Sequence, residues 1–321
     1  MPILKKILSI FLKISVSIIL LIFLFKQVDK KSLVEIIKNA DKGLLSLAFF
    51  IFFIIYILCL WRWKMLLKAA DIQLPLKRVV ISFAGGVFFN LFLPSTIGGD
   101  LVRSVDLGMY TKRLREVMAT VLLDRLSGYV GLVTVALLAV LFGWQFIQDR
   151  SVLLAVAIIT AILIFILLVL FNKFIYSKIN KLLESPNSGK IREAIKNLHE
   201  DIHIFKHHKK VILNNLLVSL LIQIISPITF YITALSLGIN KGIIYFFVLL
   251  PIIGAISLLP ISIGGLGLRD ATTIFFFTRI GVSKDLAFTM SLVSFLFILI
   301  YGCFGGLIYV LTVHHRRVQC H

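Results

Sequence analysis

The eleven residues Leu93-Pro94-Ser95-Thr96-Ile97-Gly98-Gly99-Asp100-Leu101-Val102-Arg103 return 166 positions later as Leu259-Pro260-Ile261-Ser262-Ile263-Gly264-Gly265-Leu266-Gly267-Leu268-Arg269. Six positions are identical in register: Leu, Pro, Ile, the two glycines and Arg. In a chain rich in Leu, Ile and Gly a shared apolar residue means little. Pro, a glycine pair and Arg at one offset are a repeat signal. Each copy also interrupts an apolar stretch with residues that break a helix, so each marks irregular backbone inside otherwise helical sequence.

The surroundings are a membrane protein's. Hydrophobic residues make up 59% of the chain, charged residues only 15%, and the mean hydropathy is +1.02, which excludes a chain folding in water. Six runs have the length of a spanning helix: Ile7 to Phe25, Leu44 to Leu60, Val117 to Phe142, Val152 to Phe171, Val211 to Leu237 and Leu286 to Val313. Three shorter apolar stretches, Val79 to Leu93, Ile243 to Leu259 and Leu266 to Phe277, flank the two motif copies. The expected fold is therefore an all-α polytopic membrane protein with about six full crossings plus two re-entrant or broken helix hairpins. Lys5 and Lys6 precede the first run, which is too long for a signal peptide and has no small-residue cleavage site, so it reads as a retained helix. Three cysteines, Cys59, Cys303 and Cys320, without CxxC spacing, argue against a disulfide framework and a zinc site.

The offset extends past the motif. Residues 44–60 map onto 210–226 and 117–142 onto 283–308, so the sequence divides into a repeat of 7–143 and 151–313 within a single transmembrane domain, 1–321. Each half holds three crossings. An odd number inserts the second half upside down, the inverted-topology arrangement of secondary transporters. Re-entrant tips at Pro94 to Gly99 and Pro260 to Gly265 then approach one another near the midplane, where irregular backbone is tolerated only beside protein or a wet cavity.

Net charge is +19, from 34 Lys and Arg against 15 Asp and Glu. The positives stand in short loops and tails beside helices, which fits the positive-inside bias and attraction to anionic lipid rather than nucleic-acid binding. The longest loop, 172–210, is basic and reads as a cytoplasmic segment. Counting six crossings from it puts both termini in the cytoplasm, as expected in a multi-pass inner cell membrane protein. The exception is Lys26 to Lys42, outside despite five lysines. Within 188–210, Ile191, Ile195, Leu198, Ile202 and Phe205 form one apolar stripe, a basic amphipathic helix for the membrane surface. His199, His203 and His207 repeat at four residues on it; a polar face accounts for them better than a metal, and neither metal nor other cofactor is expected.

The chemistry concentrates at the motif copies. Gly98, Gly99, Gly264 and Gly265 allow positive φ and a close approach of backbone N–H groups, and a helix starting there points its positive end at an anion such as phosphate. Pro94 and Pro260 precede them. Arg103 and Arg269 are the candidate headgroup contacts, since a guanidinium grips phosphate with two parallel hydrogen bonds. Asp100 and Asp270 stand beside them, either balancing the arginines or carrying protons. Asp124 and Arg125 lie within a spanning run, where charge is expensive and is functional or forms a salt bridge between helices. The competing reading is that the Pro and Gly residues break two helices for packing alone.

The pattern Gly98-Gly99-Asp100-x-x-Arg103, Asp124-Arg125-Leu126-x-Gly128, and Gly264-Gly265-x-Gly267-x-Arg269-Asp270 resembles the membrane domain of lysylphosphatidylglycerol synthase/flippase proteins and their stand-alone, flippase-like relatives. The resemblance covers nearly the whole chain. It implies movement of modified phospholipids between leaflets, with polyprenyl or hopanoid-type lipids as other cargoes of such relatives. Asp124 and Asp270 depart from it, because Glu is the acid expected there. No soluble aminoacyl-transferring domain is expected after Val313. There is no G-x-x-x-x-G-K-[ST] loop and no GxSxG elbow. The expectation is a non-enzymatic lipid flippase; the alternatives are an ion-coupled small-solute transporter and a membrane enzyme acting on lipid headgroups.

Overall fold

The long apolar runs form long helices. The computed structural model describes residues 24, 30–93, 98–146, 150–171, 205, 208–257 and 265–319. Among them are ten α-helices, a 3₁₀ turn at Trp144–Phe146 and no strand. The helices are α1 (Lys30–Asn39), α2 (Lys42–Ala69), α3 (Leu76–Asn90), α4 (Gly98–Thr111), α5 (Leu114–Gly143), α6 (Arg150–Phe171), α7 (Lys209–Ser236), α8 (Ile243–Ser257), α9 (Leu268–Arg279) and α10 (Lys284–Gln319). Stretches within α2, α5, α6, α7 and α10 are long and apolar enough to cross a bilayer. The protein is a polytopic α-helical membrane protein. The first expected crossing, apart from buried Leu24, and the amphipathic stretch with its three histidines, apart from buried Phe205 and residues 208–210, lie outside the described residues.

The three shorter apolar stretches are α3, α8 and α9. Helices α2 and α7 have 28 residues each and α3 and α8 have 15 each, with both pairs 167 positions apart, as in Lys42 to Lys209 and Leu76 to Ile243. Their ends match as well. After α2, Asp71 takes φ 54° and the Ile72 N–H donates to the Leu67 carbonyl at 2.9 Å; after α7, Gly238 takes φ 79° and Ile239 donates to Ala234 at 2.9 Å. That is the left-handed helix stop which satisfies an orphan carbonyl. The same stop comes after α4 at Lys112 (φ 57°) and after α9 at Gly281 (φ 78°), where Arg113 donates to Gly108 and Val282 to Phe277, both at 3.1 Å.

The chain forms two compact units. The first contains residues 1–57, 75–103 and 224–321. Here the Asp41 N–H at the start of α2 donates to the Ser236 carbonyl at the end of α7 at 2.9 Å, and Ile232 packs against the Ala48, Val293 and Phe297 cluster. α2 and α7 thus pair antiparallel. α10 is the spine of this unit. It lies against α3 along glycines: a Cβ at Gly302 would strike Leu91, one at Gly305 the Ala84 carbonyl, one at Gly306 the Phe88 ring, and one at Gly85 the Tyr309 ring. In a bilayer the apolar effect does not draw helices together, so backbone approach at small residues supplies the dispersion contact. α10 also receives α2 through Tyr301, whose ring stacks on Phe49 at 4.7 Å and whose hydroxyl donates to the Phe49 carbonyl at 2.8 Å. α9 packs on α8 and on α10.

The second unit contains residues 58–74 and 104–223. α5 packs against α6 and carries the buried Thr120, Asp124 and Ser127. The end of α2 belongs to this unit and brings fully buried Trp63, whose indole N–H donates to the Thr120 hydroxyl at 3.1 Å.

Candidate functional site

The first motif copy starts a helix rather than a loop before one. Gly98 and Gly99 are the first residues of α4, and neither takes a positive φ. Their small size serves packing: a Cβ on Gly99 would run into the Gly86 carbonyl and Asn90, and one on Gly98 into Leu93. Asn90 satisfies the Gly99 N–H, one of the orphan donors of the first turn, at 2.8 Å through Oδ1. This corrects the expectation that the first glycine pair supplies a left-handed turn. Pro94, with residues 95–97, lies outside the described residues.

One turn into α4, Arg103 reaches back to Asp100. Its Nε donates to Asp100 Oδ1 at 3.0 Å and its Nη2 lies 3.0 Å from the same oxygen, with both side chains almost wholly buried. The spacing of three residues puts the pair on one helix face. The Arg103 stem crosses Gly86, and its guanidinium lies 5.7 Å from the Phe83 ring centroid.

In the second copy, Gly265 and Gly267 take φ 77° and 78°, so the turn there does require glycine. α9 begins at Leu268, beyond the glycine pair, and Gly264 and Pro260 lie outside the described residues. Asp270, fully buried, accepts the Gly267 N–H at 2.9 Å through Oδ2 and the Arg269 Nη2–H at 2.9 Å through Oδ1, and Ser291 of α10 donates its hydroxyl to Oδ1 as well. Arg269 stays 12% exposed, with its guanidinium 5.2 Å from the Phe295 ring centroid. Each arginine has an aspartate close in sequence, but in different register: Asp100 aligns with Leu266, and Asp270 with Ser104.

α10 ties the two copies together within the first unit. Leu91, just before the first tip, sits at Gly302, and Arg269, just after the second, sits at Ser291 and Phe295. Phe295 and Gly302 are roughly 10 Å apart along a helix axis. The chemistry available is two buried guanidinium–carboxylate pairs at helix starts whose N–H groups favour anions.

Asp124 belongs to a different cluster, in the second unit. It pairs with Arg62 of α2: Arg62 Nε donates to Asp124 Oδ1 at 2.7 Å and Nη1 to the Ser219 hydroxyl at 3.0 Å. Asn215 donates to the Arg62 carbonyl at 3.1 Å. Gly128 leaves room for the guanidinium, since a Cβ there would lie 3.2 Å from Nη1. Arg125 is half-buried on the next position of α5. Arg62 was missed by motif reading; its signal is Trp61-Arg62-Trp63-Lys64, charge set inside the apolar run of α2.

The sequence profile of the lysylphosphatidylglycerol synthase TM region matches residues 10–305, nearly the whole chain. The chain belongs to that family. Among relatives, one described as a UPF0104 membrane protein from Pyrococcus horikoshii is 26% identical over 88% of this chain and 90% of its own. Another UPF0104 membrane protein, from Methanothermobacter thermautotrophicus, is 25% identical over 81% of this chain and 82% of its own. Both motif copies fall inside the family match, as does the Arg62–Asp124 cluster.

Proposed function

We propose that the protein moves a lipid with an anionic or modified phosphate-bearing headgroup between membrane leaflets, as a transporter rather than an enzyme. The observation that carries the reading is the pairing of Arg103 with Asp100 and Arg269 with Asp270 at the starts of α4 and α9, α9 packing on α10 and α4 following α3, which also lies on α10. An arriving phosphate exchanges one anionic partner of a guanidinium for another, so the aspartates keep the arginines compensated in the empty site. Matching lengths and helix stops in α2–α3 and α7–α8, with α2 and α7 antiparallel, support an inverted repeat, and the basic 172–210 sequence is the ground for a place in the inner cell membrane with both termini cytoplasmic. Membership of a lysylphosphatidylglycerol synthase membrane family supports a phospholipid as cargo.

The test is leaflet exchange of a labelled anionic phospholipid in proteoliposomes. Arg103→Ala and Arg269→Ala should each lower the rate by tenfold or more, by loss of about 1.5–3 kcal/mol of charged hydrogen bonding. Unchanged exchange in both variants, folded by size-exclusion and thermal melting, overturns the proposal.

A further inference from the structure

Helix α1 and its lysines take no part in either motif copy, and they fall in the segment whose charge defies the topology expected from the rest of the chain. α1 is amphipathic. Leu33 and Ala40 are buried against the protein, while Val34 and Ile37 remain 53% and 50% exposed. Beside that apolar edge runs a groove of ≈ 590 Å³ lined by Lys31, Val34, Glu35, Lys38 and Asn39. These positions run i, i+3, i+4, i+7 and i+8, so the five residues share one continuous face of the helix, which forms this wall of the groove.

The start of α2 sets the depth of this face in the membrane. Asp41 caps α2, its Oδ1 accepting the N–H groups of Gly43 at 2.8 Å and Leu44 at 3.0 Å, and the Asp41 N–H is held by Ser236. The apolar run of α2 begins at Leu44. α1 is therefore fixed at the boundary where a spanning helix meets headgroups. A helix there, with exposed Val and Ile edged by lysines, has the makeup of one that lies in the interface. Lys30, Lys31, Lys38 and Lys42 outnumber Glu35 and Asp41, and that surplus calls for anionic lipid.

We propose that the α1 groove is a docking site for the headgroup of an anionic phospholipid, Lys31 and Lys38 holding its phosphate while Val34 and Ile37 meet the acyl chains. This site is separate from the motif arginines and does not rest on the transport reading. It also accounts for the lysines of 26–42: they answer to bound lipid on their own side.

The experiment places a bimane label at Ile37→Cys, outside the groove lining, in full-length protein whose Cys59, Cys303 and Cys320 are replaced by alanine. A control label goes at Leu154→Cys on α6. Each is reconstituted with brominated phosphatidylglycerol or brominated phosphatidylcholine at equal mole fraction. At low salt the label at 37 should be quenched preferentially by the anionic lipid, with a relative binding constant of roughly fivefold per lysine, while the control shows no preference. Lys31→Gln with Lys38→Gln should abolish the preference, and high salt should weaken it. Equal quenching by both lipids at 37, a preference that survives the double replacement, or one equally strong at Leu154 overturns the proposal. The label at 154 reports whether each variant has kept its fold.

Discussion

Gly99 and Gly98 are adjacent and identical in type, yet their neighbours differ. Gly99 faces the Gly86 carbonyl and the Asn90 amide, and Gly98 faces the Cβ of Leu93, which is fixed to the backbone and is not moved by a change of rotamer. Gly99→Ala and Gly98→Ala should therefore each cost about 1–3 kcal/mol as overpacking, read as denaturant unfolding in mixed micelles. A Gly99→Ala variant as stable as the parent would count against the α3–α4 approach. At Arg62 the argument is electrostatic. Arg62→Ala leaves Asp124 buried without its cation and should cost about 3–5 kcal/mol, whereas Arg62→Met with Asp124→Leu removes both charges and should recover most of that loss. A double variant as unstable as the single one would show that packing around Arg62, not charge pairing, holds this corner. Motif reading found Asp124 because it is a rare intramembrane acid. It could not find the partner, since Arg62 is distant in sequence and only helix packing brings it near.

At the scale of the element, four helices stop by one device, but the residues supplying it differ. Left-handed backbone costs an ordinary L-residue about 1–2 kcal/mol, less for Asp, nothing for Gly. Hence Gly238→Val should lower stability by about 1–2 kcal/mol and Asp71→Val by less, while Asp71→Gly should change it by less than about 0.5 kcal/mol; thermal melting of the purified protein decides. The spans of α2, α5, α6, α7 and α10 were legible from apolar length alone, because a bilayer demands one thickness. The start of α4 was not. A glycine pair after Pro reads as a turn, and it becomes the first turn of a helix only because Asn90 accepts the Gly99 N–H and Gly86 admits the close approach. Those partners lie in α3, outside any local pattern.

At the scale of the whole molecule, the repeat joins sequence to function. The inversion proposed above rests on an odd number of crossings per half, and it makes a direct prediction: cysteines at Ser95→Cys and Ser262→Cys should be labelled by an impermeant thiol reagent from opposite sides of the membrane. Labelling of both from one side sinks the inverted arrangement. The repeat was visible at the motif, where Pro, Gly-Gly and Arg survive in register, but the aspartates that pair the arginines did not align, because helical geometry permits a carboxylate to reach from i−3 or from i+1. The three tryptophans carry a last consequence. Trp63 is fully buried next to Arg62 and bonded to Thr120, while Trp61 and Trp144 are 53% and 64% exposed. Brominated lipid should darken the two outer indoles and spare the inner one. The residual emission then becomes an intrinsic optical gauge of the Arg62–Asp124 cluster, readable in intact vesicles without any added dye.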